Sequence, residues 1–439
     1  MTPMSKTAID MQTSLRGIAD RARRDKKARF RDLYRLLNEA NLRGCFYQLR
    51  RAAAPGVDRV TFEQYEANLD AHLANLVERL KGKRYRAKLV RRKYIPKGNG
   101  KLRPLGIPAL EDKLLQLAVA RMLEAIYEQD FLESSWGYRP NRGPREASRE
   151  LANRLFRGRI GWVVEADIKG FFDNISHEWM LRMLGERIED RALLRLIGRW
   201  LKAGVLEESG EVVHPATGTP QGGIVSPVLA NVYLHYVLDL WFERVVKKQC
   251  RGDVYKIRFA DDFVCAFQFM AEAKRFERAL PGRLGKFGLA VAPEKTRTLQ
   301  FNRYVPEPNE AFDFLGFEFR WRKGRTGEMA LKRRTSPKKF RASVKAFTEW
   351  IKKYRHSRMS LLMEKLAAKL RGYWNYYGVR GNSQSLSRFY DQCQKLLFKW
   401  LNRRSQKRSL TWVQFDALLK RYRIPTPRIV EQPYQPTFL

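Results

Sequence analysis

Hydrophobic positions recur along the chain with two periods, and the changes from one to the other divide it into elements. Between 14 and 51, Phe30, Leu33, Leu36 and Leu37 fall at helical spacing among many Arg and Lys, predicting a basic amphipathic helical region. The turn-rich APGVDRVT (54–61) leads into a predicted helix over 62–81. RRKYIPKGNGKLRPLGIP (91–108) reads as strand, tight Lys97-Gly98-Asn99-Gly100 turn and strand. Helices over 111–129 and around 144–157 flank the aromatic, Gly- and Pro-punctuated loop FLESSWGYRPNRG (131–143). GWVVEADIKGFFDNI (161–175) begins as a buried-looking strand, and 177–204 has helical period. GTPQGGIVSPVLANVYLHYVLDLWFERVV (218–246) passes from a Gly-, Pro- and Gln-rich loop straight into a long helix. In YKIRFADDFVCAF (255–267), an alternating arm and a continuous apolar arm predict two strands joined at Phe259-Ala260-Asp261-Asp262. A helix (271–287), a strand-turn-strand (288–301) and one apolar strand, AFDFLGFEF (311–319), follow. The rest reads as helical near 336–355, 360–377 and 383–403, ending in a basic, Pro-punctuated tail, 404–439.

Charge adds a partner to this outline. The 439 residues carry 86 Lys and Arg against 46 Asp and Glu, a formal net charge of +40, which points to a polyanion, with nucleic acid ahead of a membrane surface. From Trp321 to Leu439 there are 29 Lys or Arg and 6 Asp or Glu, so the last quarter should carry much of the grip. A hydrophobic share of 44% with 12% aromatics is enough for globular cores, and the length suits two or three packed units. Cys45, Cys250, Cys265 and Cys393 are widely spaced, as expected of reduced thiols in a cytosolic protein. No apolar run approaches the ~18 residues of a membrane span, and the start lacks the apolar stretch of a signal peptide.

Candidate chemistry centres on carboxylates. Asp261 and Asp262 sit at a predicted hairpin tip, where turn geometry can aim both into one space. Two like charges held together call for a partner such as a divalent metal, although a plain polar turn also fits. Asp167 ends an apolar strand 94 residues before Asp261 and could complete such a site or simply cap a turn. The hairpin at 91–108 carries Arg91, Arg92, Lys93, Lys97, Lys101 and Arg103, a set suited to a triphosphate. Tyr373, Trp374 and Tyr377 read either as bundle core or as stacking platforms for nucleotides.

Taken in order, GVDRVT, YIPKGNGKLRPLGIP, SSWGYRPNRG, ADIKGFFDNI, GTPQGGIVSPVLANVYLH, RFADDFV, GLAVAPEKT, FDFLGF and LRGYWNYYGV make the chain resemble a group II intron-encoded reverse transcriptase, or intron maturase, from about residue 54 to 403. The resemblance implies an α+β, right-hand polymerase: N-terminal extension and fingers over 1–160, a palm of antiparallel sheet with helices on one side over 161–320, an α-helical thumb or maturase domain over 321–403, and a basic tail over 404–439. It implies that Asp167 and Asp261 hold two Mg²⁺ ions, with Mn²⁺ as a substitute, beside Asp262 and the backbone carbonyl of Ile168. Lys97 and Arg103 match positions that contact the incoming dNTP, Phe172 the residue that crowds the sugar 2′ position, and Gln221 a glutamine near the nucleotide. The implied activity is copying an RNA template from a DNA primer, with binding of structured intron RNA and of target DNA in splicing and mobility, in the bacterial cytosol and away from membranes.

The chain departs from the commoner family pattern in two ways. Phe259 stands where the acidic motif usually has Tyr, which predicts altered fidelity or rate rather than loss of activity. There is also no C-x-x-C pair or histidine cluster of an HNH endonuclease, so the resemblance is to endonuclease-lacking members, which depend on a primer made elsewhere. Two other readings remain: a domesticated relative acting in DNA repair or phage defence without an intron, and an RNA-binding splicing chaperone without polymerase activity.

Overall fold

Eleven strands among the described residues build three sheets: β1 (Val90–Pro96), β2 (Leu102–Ile107), β3 (Trp162–Ala166), β4 (Val205–Leu206), β5 (Val212–Val213), β6 (Val254–Phe259), β7 (Asp262–Phe267), β8 (Arg297–Gln300), β9 (Phe312–Phe314), β10 (Phe317–Lys323) and β11 (Met329–Thr335). The computed structural model describes residues 6–96, 102–219, 221–304, 310–324, 327–404 and 410–432, with side chains from residue 14 onward. Helices and antiparallel pairings alternate along the chain, an α+β fold.

The central sheet has the order β6-β7-β3-β8 and is antiparallel throughout, with Val164 opposite Cys265 and Ala166 opposite Phe263. Successive side chains on a strand point to opposite faces. Val164, Cys265 and Phe267 enter the main helical core, whereas Val163, Val264 and Ala266 pack with Leu151 and Leu155 of the helix Pro144–Arg157 and with the Phe312, Phe317 and Phe319 rings. Both faces are therefore covered, which explains why the second arm of the FADD hairpin is apolar without interruption. The expectation of helices on one side only is corrected accordingly.

The basic hairpin forms as expected, with β1 and β2 antiparallel, and extends through β4 and β5 in the order β2-β1-β4-β5. Its predicted turn, including Lys97, lies outside the described residues. The sheet β11-β10-β9 corrects the reading of 311–319 as one strand and of the following chain as helical. Leu315 (φ 52°) and Gly316 (φ 79°) reverse the chain there and pair Phe314 with Phe317. β11 escapes a periodicity test because its buried positions include Arg333, whose guanidinium bonds the Glu431 carboxylate at 2.6 and 2.7 Å and Ser148 Oγ at 2.9 Å.

Two predicted helical regions are broken. After the helix Lys6–Arg24, Phe30 leaves helical geometry to exchange backbone bonds with Arg187 (2.8 Å) and Glu189 (2.9 Å), and Glu39–Phe46 resumes under an Asn38 cap. Residues 62–81 divide into Phe62–Glu66, which a Thr61–Gln64 capping box starts, and Leu69–Lys81. The long helix expected over 218–246 is α-helical over Ser226–Leu234, then widens into π-helical turns at His235–Asp239 and Phe242–Val246.

The C-terminal helices Pro337–Tyr354, Met359–Tyr377 and Ser383–Leu401 match expectation and share a core of Phe347, Leu366, Trp374, Phe389 and Leu397. Trp374 is fully buried and Tyr373 stacks on Phe389 at 3.8 Å, so these rings are bundle core. The tail is more than a basic, Pro-punctuated segment, because Trp412–Arg421 is a helix that buries Phe415 and Leu419 in that core.

Candidate active site

The acidic turn is a two-residue connection between β6 and β7, with Phe259 opposite Asp262 and with Ala260 and Asp261 at the bend. Ala260 has φ 57°, left-handed backbone that costs a non-glycine residue about 1–2 kcal/mol and therefore needs its surroundings to hold it. Gly137 presses directly on it: a Cβ there would lie 2.2 Å from the Ala260 nitrogen. From the other side Arg258 Nη1 donates to the Ala260 carbonyl at 2.9 Å.

Asp167 follows Ala166, the residue opposite Phe263, so the antiparallel register brings Asp167 alongside Asp262. Its carbonyl accepts the Ala292 N–H at 2.8 Å, and the Ala290 carbonyl accepts that of Lys169 at 2.9 Å. These two bonds make an isolated bridge between Ile168 and Val291 and leave the Ile168 carbonyl out of it. The first strand expected in 288–301 is thus a single bridge, followed by a 3-10 turn at Pro293–Lys295 and then β8.

Asp261 feels Asp167, and Asp262 feels both of the others. Loss of water around Asp261 raises its pKa, Asp167 adds to the effect, and Arg103 and Lys295 oppose it. Asp262 is open to a narrow cleft, yet the walls strip enough water from it that, with repulsion from Asp261 and Asp167, its pKa is pushed up to about 6. The Lys295 ammonium pairs with Asp167 Oδ2, and that bond raises the lysine's own pKa. Beside Asp167 and Asp262 the cleft of about 240 Å³ is also lined by Glu165, Lys295, Asp313 and Leu315.

On the Asp261 side the structure gathers the residues expected to meet a nucleotide. Phe172 sits half-buried on a 3-10 turn, Phe171–Asp173, and meets the ring of Tyr138 edge to face at 6.5 Å. Tyr138 is 47% exposed, adopts φ 59°, and lies near enough to Asp261 and Arg103 for both to shift its phenol. The loop before the Ser226 helix links two parts of this wall. Thr219 N–H donates to the Phe172 carbonyl at 2.8 Å, and the Gln221 carbonyl accepts the Gly106 N–H of β2 at 2.6 Å. Gly222, at φ 117°, would bring a Cβ within 2.6 Å of the Gly106 carbonyl. Gln221 is in this way held against the strand that bears Arg103, which is exposed.

Of the residues singled out from the sequence, Asp167, Asp261, Asp262, Ile168, Phe172, Arg103 and Gln221 fall in this one region. Tyr138 and Lys295 belong to it as well, although sequence reasoning assigned neither. Both stand in motifs already noted, SSWGYRPNRG and GLAVAPEKT, but a tyrosine in a loop and a lysine after a proline carry no chemical signature of their own.

The donor set is all oxygen and its negative charges are crowded, which fits a hard divalent cation better than zinc or another soft metal. Among the described residues no three His, Cys, Asp or Glu side chains already converge as a metal cage, and Lys295 balances Asp167. Residues that could hold such a cation are Asp167, Asp261 and Asp262.

A family model described as reverse transcriptase (RNA-dependent DNA polymerase) matches residues 95–319, which contain β2, the acidic turn and the Asp167 strand end. The chain is 31% identical to Protein YkfC of Escherichia coli K12 over 383 residues, covering 79% of this chain and 98% of that protein. It is 44% identical to the group II intron-encoded protein LtrA of Lactococcus lactis subsp. cremoris over 173 residues, 38% of this chain and 28% of LtrA. It is 36% identical to a 91 kDa protein in the cob intron of Schizosaccharomyces pombe over 233 residues, 52% of this chain and 28% of that protein. Both intron proteins are thus matched over little more than a quarter of their length.

Proposed function

This chain belongs to the reverse transcriptases, RNA-directed DNA polymerases, of the kind encoded by group II introns, and on that premise we propose that Asp167, Asp261 and Asp262 form its nucleotidyl-transfer centre. The observation that carries the proposal is the placing of Asp167, just past the end of β3, beside the β6–β7 turn, so that Asp167 and Asp261 repel Asp262 while Lys295, Arg103 and Lys339 oppose that crowding. They would hold two divalent cations, Mg²⁺ or Mn²⁺, with the Ile168 carbonyl nearby; when bound, these supply charge stabilisation at the primer 3′-hydroxyl and at the leaving pyrophosphate.

The chain's own residues do the rest. Arg103, with Lys97 from the same hairpin, neutralises the triphosphate of the incoming dNTP. Phe172 crowds the sugar 2′ position, and Gln221 meets the nucleotide from the loop whose Thr219 bonds the Phe172 carbonyl. The Lys295 ammonium pairs with Asp167 Oδ2 and holds that carboxylate beside the acidic turn. We assign the N-terminal extension and fingers to 1–160, the palm to 161–320, beyond which β10 and β11 run on to Thr335, and the thumb to the helices from Pro337, among which Trp412–Arg421 packs. The basic thumb and N-terminal region grip the RNA template, the DNA primer and the structured intron RNA, whose splicing and mobility the protein assists, in the bacterial cytosol.

Primer extension on an RNA template with Mg²⁺ tests the centre. Asp261→Ala should abolish cDNA synthesis and leave RNA binding largely intact; substantial extension by that variant would remove the assignment.

A further inference from the structure

Behind the acidic turn lies a buried polar network that the chemistry above does not use. Arg258 is fully buried, as is Asp239, and Asn231, Ser135 and Lys256 are nearly so. Its guanidinium reaches four groups: Nε donates to Asp239 Oδ1 at 3.0 Å and Oδ2 at 3.2 Å, Nη1 to Asn231 Oδ1 at 3.0 Å and to the Ala260 carbonyl at 2.9 Å, and Nη2 to Ser135 Oγ at 2.7 Å and Asp239 Oδ2 at 2.5 Å. The Lys256 ammonium shares Asp239. Burial alone would raise the Asp239 pKa, but Arg258 and Lys256 hold it well below the ordinary range, so the carboxyl is ionised. The backbone of Arg258 is bonded too: its N–H donates to the Ser134 carbonyl and its carbonyl accepts from Trp136 N–H, both at 2.8 Å. Asn231 continues the chain with Nδ2 donating to the Gly137 carbonyl at 2.7 Å.

Two features argue that this network does more than fill space. Well-packed apolar side chains commonly replace buried ion pairs without loss of stability, so the stability that the pairs add is a weak reason for their presence. The helix that supplies Asn231 and Asp239 also widens into a π-helical turn at His235–Asp239, a distortion frequent at functional sites. Only a planar fork with five donors can meet Asp239, Asn231, Ser135 and the turn carbonyl together, and lysine cannot replace it.

We propose that Arg258 is a positioning residue for the acidic turn, fixing the left-handed Ala260 so that Asp261 and Asp262 present their carboxylates in a cation-binding arrangement. Through Ser135 and the Asn231–Gly137 bond it fastens the loop that carries Tyr138 to the same turn. The inference rests on the reading of those aspartates given above.

Arg258→Lys, Arg258→Gln and Ser135→Ala in the full chain test it. The readouts are kcat and dNTP KM in primer extension, Mn²⁺ binding without substrates followed by electron paramagnetic resonance, primer–template affinity, and the thermal midpoint. Arg258→Gln and Arg258→Lys should lower kcat and Mn²⁺ affinity by about 10–100-fold, the usual cost of removing a residue that orients metal ligands, with dNTP KM and primer–template affinity little changed. Ser135→Ala, which removes one of the bonds, should move both quantities the same way by a smaller factor. Wild-type Mn²⁺ affinity and kcat in the Arg258 variants would overturn the proposal, and so would a loss of activity that follows the thermal midpoint while Mn²⁺ binding is unchanged. If Arg258→Gln does not fold, Arg258→Lys and Ser135→Ala decide on the same criteria. Asp261→Ala separates the two levels. Extension by that variant removes the underlying reading, whereas its inactivity together with unchanged Mn²⁺ affinity in the Arg258 variants removes only the positioning role.

Discussion

At the scale of single residues, close approach decides more than side-chain chemistry. Gly137 is glycine because the acidic turn occupies the space of its Cβ, with backbone atoms of Phe259 and Ala260 at 2.2–3.0 Å. Backbone atoms cannot step aside as a flexible side chain can. Gly137→Ala should therefore destabilise the protein by about 2 kcal/mol or more, in the range of strained backbone and overpacking, and reduce extension at least tenfold by moving Asp261. Urea unfolding and primer extension on the same preparation check both halves. Phe172 acts through bulk instead: with Tyr138 against its edge, the ring has little room to swing away. Phe172→Ala should raise incorporation of rNTP relative to dNTP, measured as a ratio of kcat/KM values, and an unchanged ratio would remove its gate role. The sequence made the carboxylates and Phe172 legible because their residue types and motif positions are distinctive. Tyr138, Lys295 and Arg258 were not: Tyr138 and Lys295 matter through neighbours more than 30 residues away in the chain, and Arg258 through a buried network that its place in an alternating strand does not announce.

At the scale of elements, buried polar contacts join units that hydrophobic periodicity treats as separate. Asp112, in the first turn of the helix Leu110–Tyr127, accepts the Tyr85 hydroxyl and, at 3.1 Å, the Lys88 N–H; Tyr85 in turn accepts the Trp200 indole N–H at 3.0 Å. The contact ties this helix to the segment entering β1 and to the helix Arg191–Leu201. Burial pushes the Asp112 carboxyl up to about 6. A carboxyl whose pKa is raised by folding favours the folded state fully below the ordinary value near 4, and that contribution is lost as pH rises through 6. Asp112→Asn cannot ionise, so its stability relative to wild type should improve by about 1–2 kcal/mol from pH 5 to pH 8, measured by urea unfolding at each pH. A constant difference would show that Asp112 does not carry this pH dependence. Helix and hairpin positions were readable wherever apolar spacing was regular, as in Pro144–Arg157 and the β6–β7 hairpin. They were lost where buried positions are charged, as at Arg333 in β11, or where tertiary backbone bonds interrupt a helical pattern, as at Phe30.

At the scale of the whole molecule, charge distribution and topology answer different questions. The net charge of +40, more than half of it in the last 119 residues, makes binding of nucleic acid a matter of counterion release. Affinity for an RNA template annealed to a DNA primer should fall by roughly 10³–10⁵ between 50 and 200 mM salt if 6–10 phosphates are contacted. A flat salt titration would contradict that electrostatic account. No helix among the described residues is long and apolar enough to cross a membrane. From residue types and their order alone came the polyanionic partner, the acidic hairpin and the set of carboxylates, because composition and local period are properties of the chain itself; the α+β class came from the family that the ordered motifs resemble. Only the tertiary structure decided that apolar elements cover both faces of the central sheet, that β10 and β11 follow β9, and that Lys295 pairs with Asp167. It alone placed Tyr138 against Phe172 and Arg258 beneath Ala260. Most of these depend on segments distant in sequence meeting in space, and a local pattern of hydrophobic and polar residues does not specify which distant segment a given face will meet.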